Sequence, residues 1–383
     1  MNDSFISTGE LKDSYTSTGA KLFFHQEAMT RLRNGFGTPI SAWCAPTDVC
    51  NAKCSFCSVG ERIGSVLPFY AIKGFIDQLV PLGLKSITFS GGGNFLMYRC
   101  KESGKDCNDV IEYVKGQGVE CALITNGMPM KEYPCGRTSW KNMRPEILDM
   151  LTWCRISMAG LDANHKEQEV YVPDFNQSLT SLGFSWIMAD SYQEPSHKHG
   201  WVSTPEDIRT PLEDRAVVIA EDRLPWIEDR IRHYVEKHNP AYCRLLANCL
   251  QPHRISERHG ILSAMAERIN PDIVFSQNKP PRNPSKSCAK IYTRPCLNAD
   301  GWCFCCDSVV LNTSANHKFG SDWRVCRWDE IGELFSKPIR KVIPDGICPG
   351  CVFPDAVELI GEIIEGRETP APDGPPLEHV NYI

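Results

Sequence analysis

The chain has no run of eighteen or more apolar residues, so nothing in it reads as a membrane-spanning helix. Its start, Met1 to Lys21, lacks the basic head and apolar core of a secretory signal. It is rich in Ser, Thr and charge instead, which points to the cytoplasm. Positive charge is not in excess either: 41 Lys and Arg stand against 47 Asp and Glu, a formal charge of −6. That speaks against a broad nucleic-acid footprint, though a local basic groove stays open. No internal repeat stands out.

Cysteine is what the chain has in abundance, nineteen among 383 residues. In a short secreted chain such a count reads as disulfides. In a long chain without a signal, ligation of a metal or cluster explains at least some of them, because thiolates are soft ligands suited to zinc and iron–sulfur clusters. The remainder need no role, since buried free cysteine packs as a small apolar residue.

From Pro39 onward the pattern alternates between short apolar segments and amphipathic ones. The strand candidates are Ile40–Ala45, Ser86–Ser90, Glu120–Thr125, Cys154–Met158, Phe184–Ala189 and Arg244–Leu250. Helical stretches are Tyr70–Leu82, Asn108–Gln117, Arg144–Leu151 and Trp226–His238. This α/β alternation implies a wound parallel sheet that binds ligands at the carboxyl ends of its strands. Five segments follow: a lead-in over 1–38 with an amphipathic stretch at Phe23–Leu32, a barrel over 39–255, a linker over 256–287, a cysteine-dense domain over 288–360 and a tail over 361–383. The tail should be poorly ordered unless it docks. A long connection, Asp190–Arg223, reads equally as a lid or a surface insertion.

The first cysteine group lies directly after the first strand. Cys50, Cys54 and Cys57 form C-x3-C-x2-C, with Phe56 before the last cysteine. Three thiolates on one loop can ligate three irons of a cubane cluster and leave the fourth open to a small-molecule chelator. A zinc site is the bland alternative, but zinc favours sets that close four ligands.

This triplet resembles the signature of the radical S-adenosylmethionine (SAM) superfamily. The resemblance implies that the open iron binds SAM and that reductive cleavage yields a 5′-deoxyadenosyl radical, which takes hydrogen from a substrate. Three further features agree with it. Ile87 to Ser90 runs into Gly91, Gly92, Gly93 and Asn94, similar to the family's glycine motif for the SAM amino group, although the usual acidic residue after the glycines is missing. Thr125-Asn126-Gly127 ends the third strand as in the family, and Ser157 ends the fourth, where a polar residue often meets SAM. The implied fold is a partial (β/α)6 TIM-like barrel, and the implied cofactor residues are Phe56, Ser90, Gly91, Gly92, Gly93, Asn94, Asn126 and Ser157.

The second group resembles a SPASM or twitch domain, which holds an auxiliary [4Fe–4S] cluster. Asp300-Gly301 marks a hairpin turn. It would bring Cys288 near Cys306, and Cys348 and Cys351 would close a site of four thiolates. No cysteine follows Cys351, which favours the shorter twitch form. Cys296 rivals Cys288, and Cys305 rivals Cys306. A structural zinc ribbon would need the same four thiolates.

An auxiliary cluster can accept an electron, so the first reading of function is net oxidation or rearrangement of a small molecule (a sugar, nucleoside or related metabolite). A peptide or protein side chain is the alternative substrate, and a non-enzymatic iron–sulfur or zinc module is the third reading. The family implies an electron donor such as flavodoxin or ferredoxin. For acid–base work the candidates are His197, His199 and Asp190 in the long connection, with Arg244 and Asn248 on the sixth strand as residues that could face the barrel interior. Trp186 and Trp201 read as packing.

Overall fold

The computed structural model describes residues 11–52, 63–126, 140, 143–158, 172–188, 224–247, 255–279, 284–307, 323–343, 351–372 and 377–383. The chain enters through helix α1 (Leu11–Tyr15), a 3₁₀ turn (Gly19–Phe24) and α2 (Gln26–Arg33). Then β1 (Ser41–Ala45), α3 (Phe69–Leu79), β2 (Ser86–Phe89), α4 (Cys107–Gly116), β3 (Glu120–Thr125), α5 (Pro145–Leu148), β4 (Trp153–Ser157) and β5 (Ser181–Met188) follow. Next come α6 (Leu224–His238), β6 (Tyr242–Ala247), α7 (Ile255–Ile269) and β7 (Val274–Gln277). The last elements are β8 (Cys296–Asn298), β9 (Trp302–Phe304), β10 (Cys326–Arg327), α8 (Ile331–Ser336) and α9 (Pro354–Ile364).

Local chemistry accounts for the helices. In α3, Ala71, Ile72, Phe75, Ile76 and Leu79 recur at helical spacing and are buried. α4 starts on Asp106, whose carboxylate accepts from the Asn108 amide while Asp109 reaches back to the Asp106 amide. β1 and β2 are buried along their whole length, as strands covered on both faces must be.

The described strands form one sheet in the order β10-β9-β8-β1-β2-β3-β4-β5-β6-β7. From β8 through β7 every neighbouring pair is parallel, and β9 and β10 add antiparallel at one edge. Trp43, Thr88, Ile124, Arg155, Ser185 and Arg244, from six successive strands, all line one cavity. A sheet that points six strands at one volume is curled, and this is the partial TIM-like barrel expected from the alternating pattern.

Two regions differ from the sequence reading. Residues 256–287, read as a linker, contain most of α7 and all of β7, which pairs with β6 through Cys243↔Val274. With four residues, β7 is too short to carry a periodic signal. The cysteine-dense segment continues the sheet: β8 pairs with β1 (Trp43↔Cys296) and satisfies an edge that would otherwise be open. The hairpin itself stands where Asp300-Gly301 placed it, with Gly301 at φ 80°.

The tail docks. Ser86 donates to the Asn381 carbonyl (2.7 Å), and the Asn381 amide donates to Glu120 (2.6 Å). Ser86 and Glu120 open their strands, so the tail covers the amino ends of β2 and β3. No described helix is long and apolar enough to cross a membrane.

Candidate active site

The cysteine loop leaves β1 at Thr47, which bridges to Val66 and donates its hydroxyl to the Ser65 carbonyl (3.0 Å). Cys50 is half-buried at its rim. Phe56, Cys54 and Cys57 lie outside the described residues.

The triple-glycine turn after β2 lies directly on this loop. The Gly93 amide donates to the Thr47 carbonyl (2.7 Å), and the Asn94 amide donates to the Val49 carbonyl (2.8 Å). A Cβ on Gly93 would stand 2.0 Å from the Val49 oxygen, and one on Gly92 2.7 Å from the Thr47 oxygen. Gly91 and Gly92 also take φ values of 80° and 65°. Glycine is thus required here for backbone to meet backbone.

Three asparagines tie the two loops to β3. Asn94 and Asn126 both donate to the Asn51 side-chain oxygen, at 3.1 and 2.8 Å. Thr125 donates to the Asn94 oxygen (3.0 Å). Asn126 further donates to the Cys50 sulfur at 3.7 Å, and the Ala52 amide donates to the same sulfur at 3.4 Å. Donors aimed at a soft thiolate suit a cluster ligand, so the described part of this loop fits a [4Fe–4S] group. Asn51 was not singled out from the sequence; its place inside the cysteine triplet was the available signal.

Behind this rim lies the barrel lumen, a cavity of about 320 Å³. Ser90 and Ser157 line it, Ser90 with its amide on the Cys44 carbonyl and Ser157 paired with Ser185. Tyr242 crosses the lumen above Gly183, where a Cβ would stand 2.2 Å from the Tyr242 ring. Tyr15 stacks on that ring at 4.4 Å. Arg244 donates to Gln277 (3.0 Å); burial, then the charge of Arg155, hold its guanidinium well below the ordinary range. His197, His199, Asp190, Asn248 and Trp201 lie outside the described residues, whereas Trp186 is buried in the core.

In the second cysteine group Cys348 lies outside the described residues. Cys305 is the direct partner of Cys288: its thiol hydrogen-bonds the Cys288 sulfur, lowering the Cys288 thiol to about 7 and raising that of Cys305. Burial raises Cys306 well above the usual thiol range. Cys351 accepts from the Phe353 amide (3.3 Å). Among the described residues no three Cys, His, Asp or Glu side chains converge as a metal site. Cys296 is fully buried, pushed up to about 12 by desolvation, and donates to the Arg294 carbonyl. Cys107 and Cys243 are likewise pushed up to about 12 by burial, which explains part of the cysteine surplus as apolar packing.

Next to this group Asp307 is gripped by Lys290 (3.5 Å) and Arg294 (3.7 Å). Burial alone would raise its carboxyl. Those two cations and Lys279 override it and hold the group well below the carboxylate range.

No model of a known protein family matches the chain. It is 32% identical over 116 residues to the S-adenosylmethionine-dependent nucleotide dehydratase RSAD2 of Oncorhynchus mykiss, covering 30% of each chain. It is 30% identical over 121 residues to RSAD2 of Danio rerio, covering 31% of each. The chain thus spans under a third of the length of the curated relatives it matches. Among solved structures it is similar to Streptococcus suis SuiB bound to S-adenosylmethionine, with TM-score 0.44 and 13% identity over 74% of this chain and 64% of that one. It is similar also to anSMEcpe with bound AdoMet, with TM-score 0.43 and 10% identity over 85% and 96%. The curated relatives are named for dependence on S-adenosylmethionine, and the solved ones hold it bound.

Proposed function

We propose that this chain is a radical SAM enzyme that cleaves SAM reductively and abstracts hydrogen from a small molecule held in the barrel lumen. The observation that carries the reading is the loop assembly around Cys50: a half-buried cysteine with an asparagine amide on its sulfur, set on a glycine turn at the carboxyl ends of β1 to β3.

Cys50, Cys54 and Cys57 hold the [4Fe–4S] cluster in this reading, with Phe56 beside the last ligand. When bound, that cluster supplies the electron that splits the SAM sulfonium to methionine and a 5′-deoxyadenosyl radical. The residues of the chain position and shield this chemistry. The Asn51, Asn94 and Asn126 network fixes the cysteine loop against β3 and directs an amide at the Cys50 sulfur. Ser90, the Gly91–Gly93 turn and Ser157 would hold SAM. The Tyr15–Tyr242 stack lines the lumen, and the docked tail covers the amino ends of β2 and β3.

Cys288, Cys306, Cys348 and Cys351 would hold a second cluster, which when bound would supply an electron acceptor for a net oxidation; Cys305 is the rival of Cys306. A flavodoxin or ferredoxin supplies electrons. His197, His199 and Asp190 are offered as acid–base groups. The domain boundaries are those read from the sequence, except that 256–287 belongs with the barrel.

The substrate is read as small because the lumen, at about 320 Å³, has the size of a metabolite site. The curated relatives are named for a nucleotide substrate, and a nucleoside-like molecule falls within the proposed class.

The test is 5′-deoxyadenosine release from SAM by protein reconstituted anaerobically with iron and sulfide, beside Cys50→Ala. Release by the parent and none by the variant is expected. A bound cluster without release would sink the proposal, and so would zinc in place of iron.

A further inference from the structure

We infer that the lumen binds the anionic end of its ligand, a carboxylate or phosphate, between Arg155 of β4 and Arg244 of β6. The inference rests on the reading of the lumen as the substrate chamber and adds the substrate's charge.

Strand register brings the two arginines onto one face. Arg155 stands opposite Gly183, and Ser185 opposite Arg244. Side chains two apart on a strand share a face, so Ser157 and Ser185 line the same lumen wall as the two arginines. Gly183 keeps the space between β4 and β6 free of a side chain, which admits the Tyr242 ring; its hydroxyl reaches Arg155.

Charge is out of balance in this chamber. Among the described residues that line it, Arg155, Arg244 and Arg294 are cationic, Lys21 and Lys279 are lowered to about 7 by burial, and Asp307 is the one side-chain carboxylate. Asp307 is already engaged by Lys290 and Arg294. The Nε atoms of Arg155 and Arg244 are buried, and among the described residues each lacks an acceptor. A buried guanidinium without a counter-charge is costly, and two whose charges act on each other in one chamber are more so. The Gln277 oxygen on Arg244 is neutral and offsets only part of that cost.

An arginine presents a planar fork of donors that matches carboxylate and phosphate oxygens in pairs. An oxyanion set between the forks would satisfy both free Nε groups and supply the missing negative charge. Arg294 lacks an acceptor at its own Nε but is committed to Asp307 and Ser17, so it is not part of the cradle.

The experiment uses the full chain as isolated, without SAM, and titrates it with inorganic phosphate and separately with acetate. Sodium chloride keeps the ionic strength constant, and binding is read by calorimetry and by thermal unfolding. Saturable binding of phosphate or acetate is expected, at least about tenfold weaker in Arg155→Gln and Arg244→Gln. The more tightly bound anion names the group. Should a glutamine variant fail to fold, Arg244→Lys keeps the charge and removes the fork, and a loss of affinity is expected there too. Equal binding by parent and variants, or none by the parent, overturns the inference. A second arm measures SAM affinity with and without saturating phosphate. Competition between them would show that the pair takes the SAM carboxylate and would also overturn it. Since anion binding is read without cluster or SAM, a failure to release 5′-deoxyadenosine would strike the proposed reaction and leave this site standing.

Discussion

The side-chain amide of Asn126, at the end of β3, donates to the Cys50 sulfur across 3.7 Å and to Asn51 across 2.8 Å. One residue thus joins the third strand to the first cysteine of the triplet. Hydrogen bonds to cluster sulfurs raise the reduction potential, because they favour the more negative reduced state. Asn126→Ala is expected to make the reconstituted cluster harder to reduce and to cost about 1 kcal/mol of stability for the bonds lost. A redox titration followed by electron paramagnetic resonance reads the first effect; an unchanged potential would leave Asn126 a structural residue only.

Gly93 separates contact from conformation. A Cβ there meets the Val49 carbonyl oxygen at 2.0 Å, so Gly93→Ala must push the glycine turn off the cysteine loop. A loss of about 3 kcal/mol or more is expected, together with reduced iron uptake. Gly104 has φ 72° but open space around its Cβ position, so Gly104→Ala should cost about 1–2 kcal/mol and leave iron uptake intact. Thermal unfolding and iron analysis of both variants decide the matter.

Gly183 makes room for an aromatic ring in the same way. Its Cβ position lies 2.2 Å from the Tyr242 ring, which Tyr15 covers from the other side. Gly183→Ala should lower the melting temperature well beyond the effect of Tyr15→Phe. The double variant Gly183→Ala/Tyr242→Ala should recover part of the loss, because the ring that clashes is gone. No recovery would mean that the strain lies in the backbone of β5.

Lys21 gives the stability a pH dependence. It is 1% exposed, and its ammonium donates to the carbonyl oxygens of Ser14 (2.7 Å) and Tyr382 (3.4 Å). Burial lowers its pKa to about 7, against a pull upward from Asp13. Between about 7 and the ordinary lysine value the unfolded chain holds more protons than the folded one, so this lysine makes stability rise with pH across that window; below about 7 the rise is absent. Urea midpoints from about pH 7 to about pH 9.5 should climb, and Lys21→Met should flatten the slope. Parallel slopes in parent and variant would show Lys21 to be charged in the fold.

The second cysteine group turns on which neighbour serves Cys288. Cys305 already hydrogen-bonds the Cys288 sulfur, while Cys306 is the ligand that the resemblance to a twitch domain implies. Iron and sulfide content of Cys305→Ala and Cys306→Ala, each in a Cys50→Ala background that removes the first cluster, separates them. The variant that loses the remaining cluster identifies the ligand, and zinc in that background would favour the ribbon.

The sequence by itself determined the class of the fold and made the motifs of its first loop legible. Apolar runs of four to eight residues at Ser41–Ala45, Ser86–Phe89 and Ser181–Met188 admit little but buried parallel strands. The cysteine triplet and the glycine turn are local in sequence, so they were legible as motifs, as was the Asp300-Gly301 hairpin turn. Only the tertiary structure decided what depends on residues far apart in the chain. It showed that the glycines serve the cysteine loop, because that contact is set by how β1 and β2 end side by side. It attached β8 to β1 and β7 to β6, since an open sheet edge takes a partner whatever its distance along the chain. It also set Arg155 and Arg244 in one chamber, since a single arginine carries no sign of what its side chain will face across a curled sheet.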